Sequence, residues 1–313
     1  MPLFLREAEV EELLPPADAV EAIEGCFERL ARGGVVENRP RFRLRLDEGR
    51  LHVMAAADLE LGVAGHKSYT GFTEGARFLL TLWAADRPEL LALVEADRLG
   101  QRRTGAASAV AARRLAKPGA RTLGVIGCGW QAEAQVECIR AALPGIEEVV
   151  AYCRDDERRR AFCERHGAEE AEWYRDAAEA DVVVTATTSR DPVLRGEWLR
   201  PGALVCAVGA NRIEARELDN VVLERAAFVC CDSREQAALE AGDLVEPVER
   251  GVLDWLEVHE LAEVFLGELP GRQSDDDIVV FKSLGIAAED LAAGKLVLDR
   301  ARERGIGVEL SGN

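Results

Sequence analysis

The stretch ARTLGVIGCGWQAEAQVECIRAAL, residues 120–143, decides the fold of this chain. It opens with an apolar run, residues 123–126, of the kind that forms a strand buried on both faces of a parallel sheet. Gly127-Cys128-Gly129 predicts a tight turn, and the apolar positions after it repeat with the period of an amphipathic helix. Gly127 permits the turn, while Gly129 allows the backbone to approach a pyrophosphate, whose charge the helix N-terminus favours. The third small residue of the pattern is Ala132, which suits close packing of helix on strand.

The segments after this stretch alternate between strand-like and helix-like patterns. Apolar runs with the character of sheet strands lie at residues 148–153, 181–186, 203–208, 221–232 and 278–281. Residues 155–166 predict a helix between the first two of these runs. This alternation is the βαβ pattern of a parallel sheet, and the alternative is a structural glycine turn in another α/β domain. The sequence therefore predicts a doubly wound α/β domain of Rossmann type, which binds a dinucleotide, over residues 118–284.

The end of the second strand bears on which dinucleotide is bound. NAD sites usually carry an acidic residue there for the ribose hydroxyls, whereas NADP sites avoid the acid and use arginine. Cys153 holds the strand-end position here, and Arg154 follows it, placed to meet a 2′-phosphate. Asp155 could turn inward instead, and Arg154 could simply be a solvated residue at a helix start. We predict NADP(H) as the preferred cofactor, with NAD(H) as the alternative.

A separate α+β domain precedes the dinucleotide-binding domain. Residues 16–32 predict an amphipathic helix that stops at Gly33-Gly34. Strand-like patterns lie at residues 41–46, 51–55, 62–69, 77–84 and 89–95. Because residues 47–49 form a hairpin turn, these pieces predict an antiparallel meander. A last helix, residues 284–304, is expected to return to this domain, which then comprises residues 1–117 with 285–313.

A helix over residues 100–117 links the two domains. Its predicted first turn, residues 101–104, carries Arg102 and Arg103, where the helix dipole favours anions. Two interpretations remain open for these cations: an anionic partner or simple solvation of a helix end.

The composition limits the partners and the compartment. With 39 Lys and Arg against 57 Asp and Glu, the net charge is −18, which disfavours nucleic acid and anionic membrane surfaces as partners. An anionic substrate must then be met by locally concentrated basic residues. The start of the chain carries no signal-peptide pattern, and no apolar run approaches membrane-spanning length. Eight scattered cysteines and four unclustered histidines predict a reduced cytoplasmic protein without structural metal.

Seven pieces of the sequence resemble one known family, in order and with similar spacing across nearly the whole chain. They are Arg39-Pro40-Arg41, Gly65-His66-Lys67, Arg103-Thr104-Gly105-Ala106, VIGCGWQAEAQ, VGANRIEARELD, DSREQAALEAGDL and VFKSLGIAAED. The chain is similar in these pieces to the ornithine cyclodeaminase and mu-crystallin family. The resemblance implies a homodimeric NAD(P)-dependent enzyme that acts at the α-carbon of an amino or imino acid. It also implies that the first domain binds the substrate and forms the dimer.

The resemblance assigns roles to individual residues. Arg41 matches a family arginine that faces the substrate, Lys67 a lysine at the carboxylate and reaction centre, and Arg103 a carboxylate ligand. An arginine binds a planar carboxylate through two N–H donors, and a lysine adds a point charge and a proton. The resemblance thus favours a function for Arg103 over solvation. With the glycine turn and Arg154 included, the predicted cofactor-binding residues are Thr104, Gly127, Gly129, Trp130, Gln131, Ala132, Arg154, Thr187, Val208, Gly209, Ser283 and Gly285.

One position departs from the ornithine cyclodeaminases, which carry an aspartate where this chain has Asn211. A carboxylate can accept a proton from water or an amine, and asparagine cannot. The loop VGANR is more similar to mu-crystallin and related ketimine reductases. We therefore predict reduction of a cyclic imino acid, such as a pyrroline- or piperideine-carboxylate, with Arg41, Lys67, Arg103 and Asn211 as the catalytic residues. The alternatives are ornithine cyclodeamination, alanine dehydrogenase-type deamination, and non-catalytic NADPH binding.

Overall fold

A computed structural model of the chain describes residues 1–72, 75–267 and 269–310. It divides into two compact units, which we name unit 1 (Met1–Arg103 with Gly285–Asn313) and unit 2 (Thr104–Leu284). Strands and helices are numbered below in chain order over the described residues.

Unit 1 contains an eight-stranded sheet and the helices packed on it. Its strands are β1 (Leu3–Leu5), β2 (Val36–Asn38), β3 (Phe42–Arg45), β4 (Arg50–Asp58), β5 (Val63–Phe72), β6 (Gly75–Ala84), β7 (Leu90–Glu95) and β16 (Val308–Glu309). Its helices are α1 (Glu7–Leu13), α2 (Pro16–Arg32), the start of α3 (Asp97–Leu115), and α11 (Ala287–Arg304). The helix that the sequence assigns wholly to the first domain, α3, is therefore divided between the two units.

The sheet of unit 1 follows the order β16-β1-β7-β6-β5-β4-β2, with β3 paired to β4. Strands β4 to β7 pair antiparallel with their neighbours in sequence, which confirms the predicted meander. The sheet buries one face under α11, where a Cβ added to Gly294 would lie 2.4 Å from Leu80 Cδ2. Lys67 lies on β5 opposite Met54 and Leu80, so it points to the same face as these buried residues.

Unit 2 contains a second eight-stranded sheet, and all of its pairings between described strands are parallel. Its strands are β8 (Thr122–Ile126), β9 (Glu148–Tyr152), β10 (Glu169–Glu170), β11 (Val182–Thr185), β12 (Leu204–Ala207), β13 (Ala226–Cys231), β14 (Val258–Glu260) and β15 (Ile278–Lys282). Its helices after α3 are α4 (Trp130–Ala142), α5 (Asp156–His166), α6 (Tyr174–Ala178), α7 (Asn220–Arg225), α8 (Arg234–Glu240), α9 (Gly242–Glu249) and α10 (Leu261–Phe265). The order β10-β9-β8-β11-β12-β15-β13-β14 confirms the Rossmann-type doubly wound sheet.

The bounds of several predicted elements differ from those observed, and three of these differences have a clear physical reason. The predicted strand over 221–232 was wrong in its first part, because Asp219 accepts a hydrogen bond from the Val222 amide and caps helix α7. The last helix begins at Ala287 rather than 284, since Leu284 donates its amide to the Asp232 carboxylate instead of entering the helix. The linking helix begins at Asp97 rather than 100, which changes the environment of its arginines, as described below.

Candidate active site

The glycine turn of unit 2 forms the floor of a cleft at the carboxyl end of β8. Gly127 has a φ of +108°, which L side chains rarely adopt, and its amide donates to the Tyr152 carbonyl at 2.8 Å. A Cβ on Gly127 would lie 2.4 Å from the Ala186 carbonyl oxygen, so both the turn and the close approach require glycine here.

The start of α4 follows directly and faces this cleft. Gly129 is the N-cap residue, lines the cleft, and would meet nothing within 4 Å if it carried a Cβ. Trp130 is 48% exposed at the first helical position, whereas Ala132 is fully buried. An open cradle of backbone at a helix N-terminus is the arrangement that binds a pyrophosphate. The residues of the turn therefore fit a bound dinucleotide.

The end of the cleft beside β9, where the adenosine half of a dinucleotide would lie, carries charged side chains. Cys153, Arg154, Asp155 and Arg158 all line it, and Arg154 is exposed. The carboxylate of Asp155 accepts a hydrogen bond from the Arg158 amide at 2.9 Å and caps α5. Asp155 is therefore engaged as a helix cap, and Arg154 and Arg158 supply the positive charge at this end of the cleft.

The opposite end of the cleft is built from the loop that follows β11. Thr187 and Ser189 line it. The Val208 amide donates to the Thr185 carbonyl at 2.9 Å, and Gly209 comes directly after it. Of the remaining predicted cofactor residues, Ser283 is buried in unit 2 with its hydroxyl 3.4 Å from Asp232 Oδ2.

Three basic side chains come together within unit 1, although 62 residues of sequence separate Arg41 from Arg103. All three are nearly buried, with exposures of 8% for Arg41, 2% for Lys67 and 5% for Arg103. Asp290 Oδ1 accepts a hydrogen bond from both Lys67 Nζ and Arg103 Nε, each at 2.7 Å. Glu289 accepts another from Arg103 Nη1 at 2.9 Å. We call these five residues the basic cluster.

Gly285, predicted to bind cofactor, lies in unit 1 against this basic cluster. Its φ is +72°, and its carbonyl lies 3.4 Å from Arg41 Nη2. An added Cβ would lie 2.2 Å from Arg103 Nη1, so the absence of a side chain makes room for the guanidinium. In unit 1, Gly285 therefore shapes the environment of two arginines.

The environment of Lys67 changes its protonation. The pKa of Lys67 is lowered to about 7, mainly by burial and also by the charges of Arg103 and Arg41, which together outweigh the raising effect of Asp290. A lysine with a pKa near neutrality can give up and regain a proton at working pH. The basic cluster can thus bind an anion and exchange a proton with it.

Arg102 and Arg103 lie in the interior of α3 rather than in its first turn. The helix begins at Asp97, and the carboxylate of Glu7 accepts the amide hydrogens of Asp97 and Arg98 at 2.7 and 2.8 Å. The anion at this helix start thus comes from α1 of the same chain. The prediction that Arg102 and Arg103 lie in the first turn was wrong, and Arg103 instead joins the basic cluster.

Comparison with known proteins decides the family. A model of the ornithine cyclodeaminase/mu-crystallin family matches residues 1–305. The chain belongs to this family. The resemblance seen in the sequence is therefore confirmed.

Several members of this family are similar to the chain over most of its length. A Δ(1)-pyrroline-2-carboxylate reductase of Bacillus cereus is 40% identical over 228 residues, which are 70% of this chain and 69% of that protein. The structure of the Thermococcus litoralis Δ(1)-pyrroline-2-carboxylate reductase, in complex with NADH and L-proline, superposes with a TM-score of 0.92 and 29% identity. It covers 98% of this chain and all of the other. An archaeal alanine dehydrogenase dimer with bound NAD gives a TM-score of 0.92 and 32% identity, covering 100% of this chain and 99% of that one.

Two predicted residues of this family member lie in unit 2 outside the cleft walls described above. Asn211 is exposed on the loop after β12. Thr104 is 7% exposed on α3, and its carbonyl accepts a hydrogen bond from Gln135 Nε2 at 3.3 Å. Their assigned roles, like those of the other predicted site residues, stay predictions.

The acidic members of the basic cluster were not predicted from the sequence. Glu289 and Asp290 are fully buried on α11, 223 residues after Lys67 in the case of Asp290. The available signal was a pair of acids in the first turn of an otherwise apolar helix face, in the segment GIAAED. Elsewhere, no group of three or more His, Cys, Asp or Glu side chains within the described ranges is placed to hold a metal ion. Nor is any helix of the described chain long and apolar enough to cross a membrane.

Proposed function

We propose that this protein reduces a cyclic imino acid, such as a pyrroline- or piperideine-2-carboxylate, to the L-amino acid. The observation that carries the proposal is the basic cluster, because it brings three buried basic side chains together in unit 1, and such side chains bind a carboxylate. The similarity to two pyrroline-2-carboxylate reductases supports the same reaction.

Each basic residue has a separate part in this reaction. Arg41 and Arg103 bind and orient the substrate carboxylate, since a guanidinium offers several donors in one plane. Lys67 adds a charge and supplies the proton that the imine nitrogen gains during reduction. A bound dihydronicotinamide supplies the hydride that the imine carbon gains. Orientation of the imine is the main contribution of the protein, because the imine is electrophilic once Lys67 has protonated it.

The cofactor preference that we propose is NADPH over NADH. It is supported by Arg154 and Arg158 at the adenosine end of the cleft, and by the engagement of Asp155 as a helix cap. We further propose a homodimer, supported by the dimeric archaeal alanine dehydrogenase of similar structure. A reduced cytoplasmic location is proposed because all eight cysteines are free and seven are buried.

A substrate panel tests the proposed reaction. Oxidation of NADPH and NADH is followed spectrophotometrically with pyrroline-2-carboxylate, piperideine-2-carboxylate, and pyruvate plus ammonia. Ammonia release from ornithine is measured in parallel with NAD present. The expected result is the highest kcat/KM with a cyclic imine and no ammonia from ornithine.

The same panel decides between the alternatives. A higher kcat/KM with pyruvate and ammonia would favour alanine dehydrogenase activity, which the similarity to the archaeal enzyme makes the second candidate. Steady ammonia release from ornithine would show cyclodeamination despite Asn211. Cofactor binding without turnover of any of these compounds would contradict the proposed reaction.

A further inference from the structure

Glu217 ties together two loops at the carboxyl edge of the unit 2 sheet. Its Oε1 accepts the amide and the hydroxyl of Thr187, at 2.7 and 2.8 Å. Its Oε2 accepts the Gly209 amide at 2.6 Å and the Thr185 hydroxyl at 2.9 Å. With one oxygen this carboxylate thus holds the loop after β11. With the other it joins the last residue of β11 to the loop after β12.

The two loops are in contact through their backbones at this point. A Cβ on Gly209 would lie 2.2 Å from the Thr187 carbonyl oxygen and 2.5 Å from Glu217 Oε1. Only glycine allows this approach, so the spacing between the loops depends on Glu217 and on the absence of a side chain at Gly209.

Glu217 is itself fixed by contacts with buried residues in the core of unit 2. Its backbone amide donates to Asp243 Oδ1 at 2.6 Å, and Asp243 Oδ2 lies 2.9 Å from Lys282 Nζ at the end of β15. Glu217, Asp243 and Lys282 are all fully buried. The carboxylate that joins the loops is therefore anchored to a third strand of the sheet.

The strand order indicates which part of a dinucleotide these loops meet. Arg154 and the glycine turn lie at the ends of β9 and β8, and β11 and β12 follow on the other side of β8. The two halves of a dinucleotide bind on opposite sides of this crevice. With the adenosine half at Arg154, the nicotinamide half lies over β11 and β12.

We propose that Glu217 is a positioning residue for the nicotinamide half of the cofactor, and that it acts by joining the Thr187 and Gly209 loops. Glu217 reaches the cofactor only through these loops. The inference rests on dinucleotide binding by unit 2 and is independent of the substrate. Its tests measure binding without substrate, so their failure is distinguishable from failure of the proposed reaction.

The decisive variant is Glu217→Gln. A glutamine amide has one acceptor oxygen, so its NH₂ group must face the donors of one loop, and that loop is released. We expect the Kd of NADPH to rise about tenfold or more, because hydrogen bonds to a charged group are lost. The Kd of ADP, which lacks the nicotinamide half, should remain unchanged. Both are measured by isothermal titration calorimetry.

Glu240→Gln is the matched control. Glu240 is 2% exposed in unit 2 and accepts a hydrogen bond from Gln236 Nε2 at 2.8 Å, away from the cleft. It should leave both affinities unchanged. Equal losses of NADPH and ADP in Glu217→Gln would indicate general loosening and overturn the proposal, as would unchanged NADPH binding or an equal loss in the control.

Thr185→Val keeps the proposal testable if Glu217→Gln does not fold. This change preserves the branched shape of a buried strand residue and removes one of the four hydrogen bonds to the Glu217 carboxylate. We expect a smaller rise in the Kd of NADPH, about two- to tenfold, again with ADP unchanged. NADPH binding equal to wild type in a folded Thr185→Val protein would contradict the proposal in that case.

Discussion

Lys67 is the residue whose chemistry depends most on its neighbours. Its pKa is lowered to about 7, because burial and two arginines outweigh the raising effect of the Asp290 carboxylate. If Lys67 donates the proton, kcat/KM for imine reduction should fall as the pH rises through about 7. In Asp290→Asn the charge that raises the pKa is absent, so the falling limb should move to lower pH. The measurement is the pH–rate profile of both proteins with one substrate.

The control for this pH–rate profile is that wild type and variant are measured with the same substrate. Titration of the imine itself is common to wild type and variant, so a difference between them reports the protein. Glu289→Gln should move the limb less, because Glu289 binds Arg103 rather than Lys67. Identical limbs in wild type and Asp290→Asn would remove Lys67 from the proton-donating role.

Arg154 tests the cofactor preference at the level of a single side chain. Arg154→Ala should raise the Kd of NADPH about tenfold or more, because a charge-assisted contact with the 2′-phosphate is lost. NADH binding should remain nearly unchanged. Arg160→Ala is the control, since Arg160 is exposed on α5, the helix that follows Arg154, and does not line the cleft. Equal losses for NADPH and NADH in Arg154→Ala would place the 2′-phosphate elsewhere.

Gly285 links backbone conformation to the basic cluster. Gly285→Ala should lower the free energy of unfolding by about 1–2 kcal/mol, because alanine is strained in the left-handed region. It should also reduce kcat/KM about a hundredfold, because the new Cβ displaces the Arg103 guanidinium.

Gly305 offers a matched control for this substitution. It has a φ of +66° at the end of α11, and an added Cβ there would meet nothing within 4 Å. Gly305→Ala should therefore lose similar stability and keep full activity. Full activity in Gly285→Ala, measured in the same assay, would contradict the account of the basic cluster.

At the scale of elements, the hydrophobic periodicity of the sequence predicted most of the helices and strands. The bounds of α2 agree with the prediction at both ends, because an apolar stripe and a stop at Gly33 mark it clearly. The start of α3 could not be predicted from local sequence. Its first amides are capped by Glu7, 90 residues earlier in the chain, so the helix extends back to Asp97.

Glu7→Ala tests this long-range cap. Removing the carboxylate leaves two amides of α3 without their acceptor, so the free energy of unfolding should fall by about 1 kcal/mol. Urea denaturation measures the change. Glu12→Ala is the control, because its exposed pair with Arg304 at 3.4 Å contributes little. Equal stability of the two variants would show that Glu7 does not cap α3.

At the scale of the whole molecule, the site residues marked by sequence motifs could be predicted, whereas those defined by long-range contacts could not. The glycine turn could be predicted because its φ of +108° at Gly127 requires glycine. The three basic residues were predicted from family motifs. Asp290 and Glu217 were missed because their partners lie 223 and 32 residues away, which no local pattern encodes. Buried carboxylates of this kind become recognisable only once the fold brings their donors together.

The proposed function depends on hydride transfer to an imino acid. NADPH carrying deuterium at C4, prepared as each of the two stereoisomers, is incubated with pyrroline-2-carboxylate and the protein. The product is then examined by mass spectrometry and NMR. We expect that one stereoisomer yields L-proline with one deuterium on the α-carbon, and that the other yields unlabelled L-proline. Formation of no proline, or of unlabelled proline from both stereoisomers, would contradict it.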